Sequence, residues 1–236
     1  MKTPEETELS IVRKYKKTIW HRFIKVGREY SLINDGDRIL VPVYSSAAAI
    51  LFAKCFERLH KYSETKFEPV FVLQAGDKTA RMLFEGFGIK GESAEGDISD
   101  MEKLCVQAGK LQCNKAALPD CFDDCTEHIL HSILFNGRLE ALLPGENAGG
   151  IELIRAGMLV RREDIEKFAV YNGISSYTAE ETPGEQVIYI RRIIGELKQN
   201  NHNLEINILR SCEDVNLETV LSYTEGGKRK SILDRF

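Results

Sequence analysis

The sequence has no pair of cysteines separated by two residues, the spacing found in most zinc ribbons and in many iron–sulfur sites. Its six cysteines are scattered along the chain: Cys55, Cys105, Cys113, Cys121, Cys125 and Cys212. The sequence also lacks a signal peptide and any apolar stretch of about eighteen residues, the length that spans a bilayer. We therefore expect reduced thiols in a cytoplasmic protein with no membrane partner.

The composition lacks the excess of positive charge that draws a whole protein surface to nucleic acid. The 236 residues carry a net charge of −4; 43% are hydrophobic and 29% are charged. These values are ordinary for globular proteins and supply enough apolar side chains for a large core. The length indicates one large domain, or one domain with appendages.

Short apolar runs alternate with helical patterns over most of the chain. The predicted strands are residues 39–43, 68–73, 115–118 and 151–157. The predicted helices between and after them are residues 47–62, 77–88, 100–112, 119–144 and 161–173. Residues 88–99 form either an edge strand or a loop, and the glycine cluster at 145–150 is expected to break the chain. This alternation favours an α/β fold: a mostly parallel, Rossmann-like sheet with helices on both faces.

Three regions follow from these patterns. Residues 1–33 are predicted as a basic N-terminal helix, residues 34–174 as the α/β domain, and residues 175–236 as an α+β extension. Within the extension we predict a helix at 185–198, a strand at 204–209 and an irregular basic end.

The predicted N-terminal helix has a defined start and a basic surface. Thr3 and Glu6, with Pro4 between them, form the pattern of a capping box. Residues 11–28 contain seven cations and no acid. The apolar positions step by three or four residues and predict one docking face, formed by Ile11, Tyr15, Ile19 (or Thr18) and Val26, with Arg22 in step. Trp20 is either a further docking residue or a base-stacking residue. The cations either contact the phosphate backbone of RNA or form a solvated helix face; the RNA-binding candidates are Arg13, Lys14, Lys17, Arg22, Lys25 and Arg28.

The strand at 39–43 runs directly into a helix through small residues, an arrangement typical of loops that bind phosphate. The loop is Tyr-Ser-Ser-Ala-Ala-Ala at residues 44–49, so it contains no glycine, no lysine and no acid. From these residues alone, Ser45 or Ser46 caps an ordinary helix, or the backbone and helix dipole retain some anion binding.

Three segments, in this order, resemble the PP-loop ATP pyrophosphatases, and among them the tRNA thiocytidine synthetase group. "LINDGDRILVPV" is similar to the strand before that group's SGGKDS loop, and "PDCFDDCTEHILHSILFNGRLEALLP" to its GHHRDD segment. "IELIRAGMLVRREDIEKFAVYNGI" is similar to the segment that follows. Residues in step with the second segment are Asp123, Asp124, Glu127, Gly137, Leu139 and Pro144. The resemblance implies an adenine nucleotide α-hydrolase-like fold.

The resemblance also implies an activity, namely adenylation of a tRNA base by ATP followed by sulfur transfer. The residues that serve this activity are replaced here. Ser45 and Ser46 stand in place of two loop glycines, and alanines at 47, 48 and 49 replace the lysine, the aspartate and the serine. Asp120 and Cys121 stand where the group has paired histidines. The cysteine pairs that carry an iron–sulfur cluster in the group have no counterpart, the later pair being expected near residues 175–182.

These replacements predict a diverged, catalytically inactive relative that acts as an RNA- or protein-binding module. It would have no catalytic residues, no cofactor and no iron–sulfur cluster. A vestigial nucleotide site is predicted at Val43, Tyr44, Ser45, Ser46, Ala49, Asp123 and Asp124. The two aspartates alternatively mark only a solvated helix start, which the helix dipole favours.

Two further functions stay open. One is an ATP-dependent tRNA-thiolation enzyme with an altered nucleotide site, binding tRNA and ATP. The other is a metal- or ligand-sensing module, because Cys121, Cys125 and His128 share one helix face.

Overall fold

A computed structural model describes residues 2–89, 91–94, 96–174 and 183–235. The helices are α1 (Pro4–Val12), α2 (His21–Glu29), α3 (Ala47–Tyr62), α4 (Lys78–Gly86), α5 (Met101–Lys110), α6 (Phe122–Asn136), α7 (Arg162–Asn172), α8 (Glu185–Lys198) and α9 (Leu204–Glu213). The strands are β1 (Arg38–Val43), β2 (Glu68–Leu73), β3 (Glu92–Ser93), β4 (Lys115–Ala117), β5 (Gly145–Ala148), β6 (Ile151–Ile154), β7 (Ser222–Glu225) and β8 (Lys228–Ser231).

Six strands form one sheet in the order β3-β2-β1-β4-β6-β5. Every pair in it is parallel except β5 with β6. The longest pairing joins β1 to β2, from Arg38 opposite Glu68 to Val43 opposite Leu73. The predicted α/β class is therefore confirmed.

Both faces of this sheet are covered, because successive residues of β1 point into two different cores. Ile39, Val41 and Val43 belong to the core that includes α2, α3 and α7. Leu40 belongs to the other core, which includes Leu104 of α5. Burial on both faces explains the continuous apolar run of β1, a pattern typical of parallel strands.

The sequence predicted a single helix for the N-terminal segment, and this prediction is wrong. The capping box of Thr3 and Glu6 is present at the start of α1, but the chain then turns and forms a π-helical segment, Lys16–Trp20, before α2. The wide turn is closed by Ile19 and Trp20 N–H groups, which both donate to the Tyr15 carbonyl oxygen. It keeps Ile11, Tyr15, Ile19 and Val26 buried, and Phe23 joins them on the same side (1% exposed). Arg22 and Trp20 stay half-buried.

The glycine cluster at 145–150 forms a hairpin instead of a break. β5 pairs antiparallel with β6, and the turn between them uses Gly149 and Gly150 at φ of 61° and 92°, where an L side chain is strained. The segment at 88–99 contains the short edge strand β3.

The chain divides into two compact units, Met1–Cys125 with Leu142–Glu185, and Thr126–Ala141 with Gln186–Phe236. In the second unit, the predicted helix at 185–198 is confirmed as α8. The strand predicted at 204–209 is wrong, because this segment lies in α9 and buries Glu205 and Leu209, four residues apart on one helical face. The predicted irregular end is also wrong: β7 and β8 form a hairpin around Gly226 and Gly227, which both have positive φ.

Candidate functional site

The loop between β1 and α3 lies at the carboxyl edge of the sheet, at the point where strand order reverses. β1 has β2 on one side and β4 on the other, so their following loops diverge and leave a crevice. Open α/β sheets bind ligands at such a point. Val43 ends β1 and is fully buried, while Tyr44 and Ser45 are half-buried in the loop.

The carboxylate of Asp77, in the connection that follows β2, accepts the hydrogen bonds that Ser45 of this loop can donate. The Ser45 N–H donates to Asp77 Oδ2 at 2.7 Å, and the Ser45 hydroxyl lies 2.6 Å from both carboxylate oxygens. Asp77 follows β2 and caps α4, accepting from the Ala80 N–H at 2.8 Å. Burial alone would raise the pKa of Asp77, but the hydrogen bonds from Ala80 and Ser45 outweigh burial and hold this pKa below its usual value.

Helix α3 begins after a serine, Ser46, as the sequence predicted, but the Ser46 side chain does not cap the helix. Ser46 occupies the N-cap position with extended backbone and makes no side-chain capping hydrogen bond. Its N–H donates to the Tyr44 carbonyl oxygen at 2.6 Å. Ala49, where the resemblance expects a serine, is buried.

Asp123 and Asp124 join the start of α6 to the start of α7. Asp123 Oδ2 accepts the Arg162 backbone N–H at 2.7 Å. Asp124 accepts the Cys121 N–H at 2.8 Å and the Arg162 guanidinium at 2.5 Å. These contacts tie the two helices together and satisfy donors at the N-terminal end of α6.

A buried arginine at the end of β6 forms a charge cluster that the sequence analysis did not identify. Arg155, 3% exposed, lies 2.7 Å from Asp120 and 2.6 Å from Glu146, and it donates to the Leu143 carbonyl oxygen at 2.8 Å. Burial raises the pKa of Asp120 although Arg155 opposes this rise. An arginine directly after an apolar strand was the only sequence signal for this cluster.

The seven cations of residues 11–28 are exposed with one exception. Arg22 is half-buried, 3.7 Å from Asp164 and within 3.4 Å of the Leu159 carbonyl oxygen. Lys14 lies 3.4 Å from the ring centroid of Tyr171. The remaining RNA-binding candidates, Arg13, Lys17, Lys25 and Arg28, face solvent on the turn and on α2.

The helix face proposed for metal binding starts with two buried thiols. Cys121 and Cys125 are at most 2% exposed, and burial raises the pKa of the Cys125 thiol to about 12 and raises that of Cys121 as well. Thiolates, not thiols, bind metals, so this environment disfavours ligation. In the described part of the chain, three or more His, Cys, Asp or Glu side chains do not converge on a metal-binding arrangement.

Comparison with known proteins found relatives that are named for tRNA modification. No family model matches the chain. The chain is 27% identical to a tRNA-cytidine(32) 2-sulfurtransferase of Geotalea daltonii over 81% of its own length and 90% of the relative's. It is 28% identical to the protein of that name in Geobacter sulfurreducens, covering 80% of this chain and 88% of the relative. Among solved structures, the U34-tRNA thiolase NcsA from Methanococcus maripaludis, determined with its [4Fe-4S] cluster, matches with a TM-score of 0.63 at 12% identity, over 85% of this chain and 78% of that one.

This chain is similar in sequence to tRNA sulfurtransferases and in fold to a tRNA thiolase. These names agree with the resemblance to the PP-loop tRNA-thiolation group that the three sequence segments predicted. In this chain, the residues of the loop after β1 do not fit ATP phosphates well, because Asp77 already accepts the Ser45 N–H and hydroxyl and carries a negative charge.

An iron–sulfur cluster held by several cysteines does not fit the described residues either. Cys55, Cys121 and Cys125 line one core and Cys113 lines the other, on the opposite face of the sheet. The absence of a cluster stays a prediction, as do the vestigial nucleotide site and the RNA-binding candidates. Within the residues that the structure describes, no helix is long and apolar enough to cross a membrane.

Proposed function

We propose that this chain is a tRNA-binding PP-loop protein that does not cleave ATP at its loop. The observation that carries the proposal is the Asp77 carboxylate on Ser45. A phosphate group at this loop would need the same N–H donor and would meet a like charge at hydrogen-bonding distance. The loop also lacks the lysine that would offset that repulsion.

The choice of tRNA rests on the relatives and on the surface charge. Both bacterial relatives are named as tRNA-modifying enzymes. The exposed cations of the N-terminal segment form a local positive surface in a chain of net charge −4. Such a surface binds polyanions through counterion release, so the binding should weaken steeply with salt. We propose the cytoplasm as the location, in keeping with the unpaired cysteines.

A second candidate is an ATP-dependent tRNA-thiolation enzyme with an altered nucleotide site. The names of the relatives, which cover four-fifths of this chain, favour it over a protein without activity. It requires ATP to bind elsewhere in the crevice, or Asp77 to leave Ser45 when ATP arrives.

Calorimetry with Mg-ATP, together with an assay for pyrophosphate release in the presence of tRNA, separates the two candidates. We expect no micromolar ATP affinity and no tRNA-dependent pyrophosphate. Micromolar binding with pyrophosphate release would establish the enzyme instead. Retention of tRNA on a filter tests tRNA binding, which both candidate functions require.

The role of the basic segment is tested by reversing the charge of Arg13 and Lys17. In the double variant with Glu at both positions, we expect weaker tRNA retention at low salt and a shallower salt dependence, by about one unit of log–log slope per cation. The melting temperature should hardly change, because both side chains are exposed.

The matched control reverses Lys103 and Lys110, which are exposed on α5 at the opposite face of the sheet. Its retention should stay close to wild type. An equal loss of tRNA retention in both double variants would mean that only the net charge of the protein matters. If the wild type retains no tRNA, a protein partner becomes the better hypothesis.

A further inference from the structure

A groove of about 490 Å³ opens between α2 and the last turns of α3, at the opposite edge of the sheet from the loop described above. Its walls include Trp20, Ile24 and Arg28 from the N-terminal segment, and Arg58 and Tyr62 from α3. The volume lies within the range of about 300–1,000 Å³ that is usual for small-molecule sites. The groove is thus large enough for one planar ring system.

The groove contains the exposed aromatic ring of Tyr62, which lies against the Arg58 guanidinium. The Arg58 guanidinium lies 4.5 Å from the Tyr62 ring centroid and 5.8 Å from that of Trp20. An ion pair with Glu8 of α1 holds Arg58, whose side chain is only 18% exposed. Tyr62 itself is 59% exposed. A large exposed aromatic side chain with a fixed cation against it loses little conformational freedom when a ligand stacks on it.

The wall of the groove carries two cations, Arg28 and Arg58, and one acid, Glu64. Arg28 is exposed, as are Lys25 and Lys61 beside the groove on α2 and α3. Lys25 lies 3.6 Å from Glu29, and Lys61 Nζ lies 5.1 Å from the Tyr62 ring centroid. Glu64 is the acid in the wall itself, while Glu8 is paired with Arg58. A stacking ring next to exposed cations is the combination that binds single-stranded nucleic acid, with bases on the aromatic side chain and phosphates on the cations.

We propose that this groove holds one unpaired RNA base, stacked on Tyr62, with an adjacent phosphate on Arg28. The inference rests on the proposed function, because it names where a bound tRNA would place an unstacked nucleotide. An unpaired base fits better than a duplex, since a base inside a double helix cannot present its face to Tyr62.

The test uses Tyr62→Ala in the full chain, with a single-stranded uridine decamer, the same decamer paired to its complement, and tRNA as probes. Loss of one stacked base should weaken binding of the single-stranded decamer roughly 5- to 100-fold. Tyr62→Phe keeps the ring and should bind as the wild type does. Trp20, the only tryptophan of the chain, reports on the groove directly, and its fluorescence should fall when the decamer binds.

The matched control is Tyr189→Ala. Tyr189 of α8 is also exposed (46%) and also lies against an arginine, Arg192 at 5.0 Å, but it is not part of the groove. It should bind the decamer as the wild type does. Equal weakening in both alanine variants would overturn the proposal, as would equal quenching of Trp20 by the paired decamer.

The two proposals can fail separately. If the wild type retains tRNA while Tyr62→Ala retains it equally and Trp20 is not quenched, the groove proposal is wrong and tRNA binding stands. If the wild type retains neither tRNA nor the decamer, the proposed function is wrong and the groove proposal with it.

Discussion

A single carboxylate sets the chemistry of the loop that begins α3. Asp77 accepts hydrogen bonds from the Ser45 N–H, the Ser45 hydroxyl and the Ala80 N–H, so it serves the loop and α4 at once. An anion that the chain itself supplies therefore occupies the hydrogen-bond donors of Ser45 in this loop. The replacement of the loop glycines and lysine is consistent with this internal contact, which does not need them.

Replacing Asp77 with Asn should cost about 1 kcal/mol of unfolding free energy at pH 7, because hydrogen bonds to a charged acceptor are lost while Asn can still cap α4. The folded-state pKa of Asp77 lies below its unfolded value, so its stabilisation is complete above the unfolded pKa of about 3.9 and disappears as pH falls through the folded pKa. Urea unfolding at several pH values should therefore show wild type and variant converging below about pH 4.

Asp100→Asn is the matched control, since Asp100 caps α5 by accepting the Lys103 N–H, as Asp77 caps α4 by accepting the Ala80 N–H. We expect Asp100→Asn to lose less unfolding free energy at pH 7 than Asp77→Asn. The role assigned to the contact with Ser45 is contradicted if Asp77→Asn loses no more unfolding free energy than Asp100→Asn. It is also contradicted if the loss for Asp77→Asn does not change with pH.

Among the elements, α3 is positioned by a glycine in the connection that follows β6. A Cβ atom on Gly157 would lie 2.2 Å from Cζ of Phe52, whose ring is buried in α3 and stacks on Phe23 of α2. The absence of a side chain at 157 thus lets α2, α3 and this connection pack in direct contact. Arg155, two residues earlier, fixes the same connection through Asp120 and Glu146.

Gly157→Ala should destabilise the protein by roughly 1–3 kcal/mol, because Phe52 has to shift within a packed core. Gly109→Ala in α5 is the control: an added Cβ there has no neighbour within 4 Å, so helix propensity should make it neutral or slightly stabilising. Thermal or urea unfolding measures both. If Gly157→Ala is as stable as the control, the close packing on Phe52 is not a constraint.

For the whole molecule, the sheet separates the cysteines into different environments. Cys55, Cys121 and Cys125 face one core, Cys113 faces the other, and Cys212 lies in α9 of the second unit. Burial raises the pKa of each of these thiols. Protonated thiols spread over several elements do not make a cluster site.

We therefore expect protein purified without oxygen to be colourless and to contain no stoichiometric iron or sulfide. Chemical analysis of iron and sulfide, with an absorbance spectrum, measures this. A brown preparation with several irons per chain would contradict the prediction and favour the thiolation enzyme over the binding protein.

The sequence by itself determined the elements whose signals lie within a few neighbouring residues. The limits of α3, β2 and α8 and the capping box of Thr3 and Glu6 follow from local periodicity and local hydrogen bonds. The same local signals misled at residues 204–209, which were predicted as a strand but lie in α9, where the buried positions Glu205 and Leu209 are four residues apart. They also missed β5, which exists only because β6 is there to pair with it.

Tertiary structure alone decided what the site can do. Ser45 and Asp77 are 32 residues apart, and Asp120 and Arg155 are 35 apart, so each contact depends on which strands become neighbours. The sequence showed that the loop at residues 44–49 contains no glycine, no lysine and no acid. Only the parallel pairing of β1 with β2 brings the Asp77 carboxylate to that loop, because strand order determines which connections share an edge of the sheet.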